Sequence, residues 1–175
     1  WVRSHPEVGV YSCRLLTEDL TTQSTGGYFP TLPRLFAWQF FIDDIPPFSS
    51  LIKSVHPHKA FYRQSKTLDW VTGAFMIMPS KLFKKLKGFD ENIWMYAEEL
   101  ELCYRTKQLG YSVVYRHDPT LIHLGGSSSG GSRLGITQEV KNLIYFFKKH
   151  KPSWQLPFAK LLFISGSLLR FIIFG

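Results

Sequence analysis

The sequence has 175 residues, a formal net charge of +8 and 45% hydrophobic residues, among them fifteen Phe, eight Tyr and five Trp. This length and composition support one domain with a packed core and exclude an intrinsically disordered chain. Cys13 and Cys103 lie far apart and form no CxxC motif. They therefore argue against a disulfide framework or a zinc knuckle and are typical of a reducing compartment.

The basic charge balance is compatible with three explanations. One is a solvated basic surface, and the others are that the positive charge serves to bind an anionic membrane surface or a phosphate-bearing substrate. Nucleic acid is a poor candidate partner, because the basic residues are scattered and no RNA- or DNA-binding motif is present.

The first half of the chain predicts two buried strands and a short helix. Residues 8–16 are β-prone and apolar, and residues 35–42 favour a short aromatic helix. Residues 68–78 are apolar almost throughout and predict a strand covered on both faces, with Gly73 in its middle marking close approach of a ligand or another backbone. His56 and His58 flank Pro57, where a basic surface loop is favoured over a metal pair.

The second half alternates helices and strands. Residues 81–87 predict a helix with Ser80 as its N-cap, and residues 98–109 predict a second helix. A strand over residues 111–115 and a turn at residues 118–119 follow, and residues 136–150 read as helical. This alternation predicts an α/β layer fold.

A Gly/Ser-rich loop covers residues 125–132, and an apolar tail covers residues 156–175. Such a loop can wrap a phosphate, act as a lid or serve as a plain linker, and Arg133 just after it could add positive charge. The tail is nearly long enough to span a membrane, but Lys160 and Arg170 interrupt it. A membrane-spanning helix, a helix lying at the membrane interface and a last core helix all remain open, with membrane contact favoured.

An acidic stretch at residues 88–105 carries the strongest functional signal. Carboxylates crowded beside Trp94 are costly to bury without a partner or a task, so one of them is a candidate catalytic base. The simpler explanation is that acids favour helix N-termini and that Glu101 and Arg105 form a surface pair four residues apart. The five acids of this stretch are Asp90, Glu91, Glu98, Glu99 and Glu101.

His123 follows a predicted strand and immediately precedes the Gly/Ser loop. A lone His is more often structural than a ligand. It could also bind a divalent ion that bridges phosphates, with carboxylates supplied from elsewhere.

The order of five motifs resembles the second half of a family 2 glycosyltransferase with the GT-A fold, in the rhamnosyltransferase-like bacterial branch. These motifs are residues 69–74 (DWVTGA), 88–91 (GFDE), 94–105 (WMYAEELELCYR), 110–111 (GY) and 122–127 (IHLGGS). The resemblance covers most of residues 1–150 and implies a partial GT-A, Rossmann-like mixed sheet with flanking helices. An apolar, membrane-associated helix over residues 151–175 would follow that domain.

The resemblance implies an inverting transfer of a sugar, possibly rhamnose, from a nucleotide diphosphate donor to a hydroxyl of a polysaccharide, glycolipid or cell-wall polymer. The family's base is the second acid of a Glu-Asp pair at the start of a helix, which corresponds here to Glu99 with Glu98 before it. Glu in place of Asp extends the carboxylate by about one methylene.

The resemblance also implies roles for residues around the base. Asp69, Trp70 and Gly73 would lie where donor sugar and acceptor meet, with Trp94 and Arg133 as further substrate contacts. His123 corresponds to the family's metal-coordinating His and would bind Mg²⁺ or Mn²⁺.

The family's nucleotide-binding strands and Asp-X-Asp motif have no counterpart in residues 1–175. The chain is therefore expected to be a C-terminal piece that is inactive alone, working on the cytoplasmic side of the cell membrane. The alternative expectation is a non-catalytic, membrane-peripheral binding module.

Overall fold

A computed structural model describes residues 1–125 and 132–174, without the side chains of residues 50 and 132–134. Five strands form two sheets: β1 Val8–Leu16, β2 Gly26–Gly27, β3 Lys66–Leu68, β4 Trp70–Val71 and β5 Ser112–Ile122. Six α-helices accompany them: α1 Leu32–Gln39, α2 Phe48–Leu51, α3 Ser80–Lys85, α4 Glu98–Gln108, α5 Ser132–His150 and α6 Gln155–Phe174.

The main sheet is mixed and has the order β1-β5-β3. β5 is central, pairing in parallel with β1 and antiparallel with β3. β2 and β4 form a separate antiparallel ribbon. The predicted α/β fold, a partial Rossmann-like mixed sheet with flanking helices and an apolar C-terminal helix, is confirmed.

Most of the core lies between the sheet and the helices α1, α4, α5 and α6. It joins Val10 of β1 and Val113 of β5 to aromatic and aliphatic side chains of the helices, such as Phe146 and Phe163. A smaller cluster around Tyr11, Cys13 and Leu15 covers the opposite face of β1. β1 is therefore buried on both faces, as its apolar sequence predicts.

The strand predicted over residues 68–78 is wrong in its extent. The chain bends at Asp69, whose backbone N–H bonds Gly27 O at 2.9 Å, so that β3 pairs with β5 whereas β4 pairs with β2. Beyond Val71 the ladder ends, apart from a bridge between Tyr11 and Ile77. An apolar run indicates burial, but it does not specify which strands will pair.

Two local predictions also need correction. The turn predicted at residues 118–119 lies inside β5, where the register with β1 shifts between Cys13 and Arg14. Ser80 is the first residue of α3 and makes no capping hydrogen bond, because Pro79 occupies the cap position.

Gly88 is left-handed, with φ +73°, as expected of a residue just beyond a helix.

Candidate active site

Glu99 lies in the first turn of α4 and is almost fully buried, with 9% exposure. Its Oε1 accepts a long hydrogen bond of 3.5 Å from the backbone N–H of Gly73. Its Oε2 is buried without a hydrogen-bond partner, as is Oε2 of the neighbouring Glu98. One oxygen of the Glu99 carboxyl group therefore has no hydrogen-bond partner within the described residues.

The surroundings of Glu99 favour its protonated form. Burial, and then repulsion from the Glu98 carboxylate, raise the pKa of Glu99 well above its ordinary value of 4.5. The long hydrogen bond from the backbone N–H of Gly73 opposes this shift only in part. A carboxyl group of this kind suits general base catalysis near neutral pH, where its pKa approaches the working pH.

The backbone that leads into α4 has an unusual conformation. Tyr96 and Ala97 are both left-handed, with φ +66° and +68°, which is rare for non-glycine residues. Asn142 of α5, with 4% exposure, donates from Nδ2 to the carbonyl oxygens of Met95 and Tyr96 at 2.7 Å each. This buried amide therefore holds the turn that presents Glu98 and Glu99.

Asn142 was missed by the sequence analysis. Its contribution depends on a contact across 46 residues of sequence, from Asn142 to Tyr96. The only local signal is a polar residue placed among the apolar positions of α5.

Glu101 lies two residues beyond Glu99 but has an entirely different environment. Its side chain is fully buried and is bonded by Arg105 Nε at 2.7 Å, Lys149 Nζ at 2.7 Å and His150 Nε2 at 2.9 Å. Burial alone would raise its pKa, but these three hydrogen bonds lower the pKa of Glu101 to about 2. The expected pair of Glu101 and Arg105 forms, but its expected position at the surface is wrong, because α5 covers Glu101 and adds hydrogen bonds from Lys149 and His150.

The same cluster connects three elements of the fold. Arg105 also donates to Gly88 O at 2.8 Å and to Leu86 O, beyond the end of α3. Lys149 bonds Asp90 at 2.7 Å, and hydrogen bonds from Lys149, Asn92 and Tyr145 outweigh partial burial and lower the pKa of Asp90. The cluster fixes α4 against α3 and α5.

Two of the predicted substrate-binding residues face inward. Asp69 Oδ2 accepts hydrogen bonds from Phe29 N at 3.0 Å and from Arg34 at 3.4 Å, and Asp69 Oδ1 accepts one from Lys107 Nζ, so both carboxylate oxygens are occupied. Trp70 is 9% exposed and belongs to the main core, and its buried indole N–H has no hydrogen-bond partner.

The other predicted substrate contacts differ in their accessibility. Gly73, whose backbone N–H bonds Glu99, is exposed and borders a recess of about 430 Å³. The recess is lined further by Met76, Met78, Ser80, Phe83, Phe89 and Leu102. Trp94 is 78% exposed, so the indole next to the acidic residues does not itself bury them. The side chain of Arg133 and most of the Gly/Ser loop lie outside the described residues.

His123 lies just beyond the C-terminal end of β5. Its backbone N–H bonds Leu16 O at 2.8 Å, and its Nδ1 faces Gln23 Oε1 at 2.9 Å. Gln23 Nε2 donates to His123 O at 2.6 Å, which orients the amide so that its oxygen faces the ring. In the neutral ring this contact places the proton on Nδ1 and leaves Nε2 as an acceptor.

A metal cluster made by this chain alone is not formed within the described residues. No group of three or more His, Cys, Asp or Glu side chains there has an arrangement that could hold a metal ion. The hydrogen bond between Nδ1 of His123 and Gln23 fixes the ring in the way expected of a metal-binding His. His123 therefore fits as one metal ligand among others. His56 and His58 are instead paired with Glu139 and Asp44, at 3.0 and 2.8 Å.

The chain is similar to known bacterial glycosyltransferases. It is 32% identical over 63 residues to "Rhamnosyltransferase WbbL" of Escherichia coli (strain K12), which covers 36% of this chain and 24% of that protein. It is 25% identical over 111 residues to "N-acetylglucosaminyl-diphospho-decaprenol L-rhamnosyltransferase" of Mycobacterium tuberculosis (strain ATCC 25618 / H37Rv), which covers 58% of this chain and 36% of that protein. The chain thus spans about a quarter to a third of the length of the curated relatives it matches.

No family model and no solved structure matches the chain. Both relatives are named as rhamnosyltransferases, and they support the glycosyltransferase class for this chain. The predicted resemblance is confirmed for the glycosyltransferase class.

Proposed function

We propose that the chain supplies the catalytic base and the acceptor side of an inverting glycosyltransferase. The donor is a nucleoside diphosphate sugar, and rhamnose is the proposed sugar because both relatives are named as rhamnosyltransferases. The acceptor is a hydroxyl group of a polysaccharide, glycolipid or cell-wall polymer. The observation that carries this proposal is the buried Glu99 carboxyl group, with its raised pKa and one oxygen free.

In this reaction the acceptor oxygen attacks the anomeric carbon of the donor sugar as the nucleoside diphosphate departs from the opposite side. The new C–O bond forms, the bond to the diphosphate breaks, and the acceptor proton passes to Glu99 Oε2. Glu98 acts on the base through its charge, which keeps the proton affinity of Glu99 high. Base catalysis of this type contributes about 10²–10⁴-fold to a rate.

The recess beside Gly73 is the proposed position of the acceptor. Its volume of about 430 Å³ falls within the common range for ligand sites, about 300–1,000 Å³. Met and Phe side chains provide an apolar wall for the face of a sugar ring, and the exposed ring of Trp94 could stack on the substrate.

A divalent cation would act next to the donor diphosphate. We propose that His123 holds Mg²⁺ or Mn²⁺ through Nε2, together with ligands from outside the described residues. When bound, such an ion neutralises charge on the leaving diphosphate.

The proposed location is the cytoplasmic side of the cell membrane. Cys13 and Cys103 are free, buried thiols, which is compatible with a reducing compartment. By length and composition alone, α6 is apolar enough to cross a membrane, with a mean hydropathy of 1.7. Contact with the membrane would bring the site close to a lipid-linked acceptor, the kind of molecule in the name of the mycobacterial relative.

The test is acceptor-dependent release of nucleoside diphosphate by the full-length protein, from a panel of nucleoside diphosphate sugars that includes rhamnose donors. Glu99→Gln is expected to reduce the rate about 10³-fold, because the amide cannot take the proton. Glu91→Gln is the matched control, since Glu91 is an exposed acid of the same stretch, and it is expected to keep the wild-type rate.

A wild-type rate in Glu99→Gln would refute the assignment of the base. Binding of glycans or vesicles without turnover of any donor would favour the alternative, a membrane-peripheral binding module.

A further inference from the structure

α6 is held along one side against α1 and the turn that follows it. The residues Ala159, Phe163, Gly166 and Arg170 are spaced by four, three and four, which places them on one stripe of the helix. Ala159 is fully buried and Phe163 is 2% exposed. A Cβ atom on Gly166 would lie 2.1 Å from Gln39 Oε1, so only glycine allows this close approach.

Arg170 fixes the far end of the same stripe. Its guanidinium donates to Gln39 O and Gln39 Oε1 at 2.9 Å each and to Trp38 O at 3.0 Å. These bonds satisfy carbonyl groups at the C-terminal end of α1, which lack partners within the helix. Ring contacts of Phe163 with Trp38 at 6.3 Å and of Phe174 with Phe41 at 6.0 Å extend the contact to the last turn of α6.

The opposite face of α6 is apolar and uncovered. Five residues on this face are between 58% and 78% exposed, and all are large and hydrophobic: Leu161, Ile164, Leu168, Phe171 and Ile172. Their spacing of three, four, three and one places them away from the Arg170 stripe. Five large hydrophobic residues exposed side by side on one face of a domain mark an interaction site.

The charge around this face fits an anionic surface. Residues 140–174 contain no acid, whereas Lys148 and Lys160 in this range are exposed. Trp154 at the start of α6 is 60% exposed, and Trp is enriched at membrane–water interfaces. Next to the face, a groove of about 470 Å³ between α5 and α6 is lined by apolar residues, Lys160 and Ser167, and it could accept a lipid acyl chain.

We propose that α6 lies in the plane of an anionic bilayer, with its Leu161–Ile172 face immersed and its Arg170 stripe still bound to α1. A helix crossing the bilayer would have to give up the contacts with α1 or place Arg170 in hydrocarbon, which is costly. An in-plane helix keeps both the hydrogen bonds and the apolar burial. This inference deepens the membrane contact proposed above and is independent of the transfer reaction.

The depth of α6 in vesicles tests the inference. Cysteine is introduced singly at Leu161, Leu168 or Ile172 of the whole chain and labelled with an environment-sensitive dye. Labelling is selective because Cys13 and Cys103 are buried. Quenching by lipids that carry quenchers at different depths is measured on phosphatidylcholine vesicles with and without phosphatidylglycerol.

An in-plane helix is expected to place all three dyes at one shallow depth, with stronger binding to the vesicles that contain phosphatidylglycerol. Equal and large depths at Leu161 and Leu168, which lie on either side of the midpoint of α6, with a clearly shallower Ile172, would show a membrane-spanning helix and overturn the proposal. Absence of binding to either kind of vesicle would overturn it as well. Since the experiment measures binding, its failure would leave the transfer proposal standing.

A pair of variants checks which face is immersed. The double change Leu161→Asp and Leu168→Asp is expected to weaken binding about a hundredfold, on the order of tenfold per Leu. The matched control, Leu20→Asp with Leu109→Asp, places the same two charges on exposed leucines outside α6 and is expected to weaken binding less than threefold. Equal losses in the two proteins would contradict the assigned face, and a thermal melt confirms that both remain folded.

Discussion

Glu99 and Glu101 are buried acids two residues apart on α4, yet their environments are opposite. Glu101 is bonded by Arg105, Lys149 and His150, whereas Glu99 has a weak bond from Gly73 and a like charge beside it. The pKa of Glu101 is lowered to about 2, and that of Glu99 is raised. Burial raises the pKa of both carboxyl groups, so the difference between them comes from their neighbours, which stabilise the charge of Glu101 and oppose that of Glu99.

The largest effect on stability is expected from Glu101→Gln. The change leaves Lys149 and His150 without their shared anionic partner in a largely buried cluster, which is expected to cost about 3 kcal/mol in the free energy of unfolding. Chemical denaturation at pH 7 measures this cost. Glu91→Gln is the control and is expected to change stability by less than about 0.5 kcal/mol. If Glu101→Gln is equally harmless, the cluster is not a structural anchor.

A smaller effect is expected from Asn142→Ala. The variant removes two hydrogen bonds and leaves the carbonyl groups of Met95 and Tyr96 without this donor, which is expected to cost about 2 kcal/mol. Because this turn positions Glu99, the rate of transfer by the full-length protein should fall by more than stability alone explains. Lys141→Ala, at an exposed position of the same helix, leaves Asn142 and the turn untouched and serves as the control.

The smallest effect is the pH dependence of stability, and its two parts have opposite signs. Glu101 has a lowered pKa in the folded state, so its contribution is present above pH 4.5 and is lost as the pH falls toward 2. Glu99 has a raised pKa, so its contribution is present below pH 4.5 and is lost as the pH rises through the folded value.

Glu99→Gln should therefore be as stable as the wild type at pH 4 and more stable, by about 1 kcal/mol, at pH 8. Thermal melts of both proteins across this range measure the difference. A Glu99→Gln protein that is less stable than the wild type at pH 8 would show that Glu99 is a structural acid like Glu101.

Elements with strong local patterns could be predicted from the sequence. The strand over residues 8–16 and the helix that starts at Glu98 and ends before Gly110 match the structure closely. The predicted strand over residues 68–78 fails because Asp69 turns the chain, held there by Arg34 and Lys107 from other elements. Nothing within an apolar run reveals such a turn.

The candidate site was only partly predictable for the same reason. The acidic stretch and its position at the start of a helix follow from the local pattern of residues 88–105. The difference between Glu99 and Glu101 follows from contacts with Gly73, 26 residues before Glu99, and with His150, 49 residues after Glu101.

The division between local pattern and tertiary structure has a physical basis. Hydrophobic periodicity, helix-terminal acids and glycine stops act over a few residues, so the amino-acid order alone was enough to place α4 and to mark its acids as candidates. The proton affinity of a carboxyl group depends on charges and solvent brought to it by distant elements. The fold of this chain therefore decided that Glu101 would be neutralised by α5, and that Glu99 would keep one oxygen free beside an open recess.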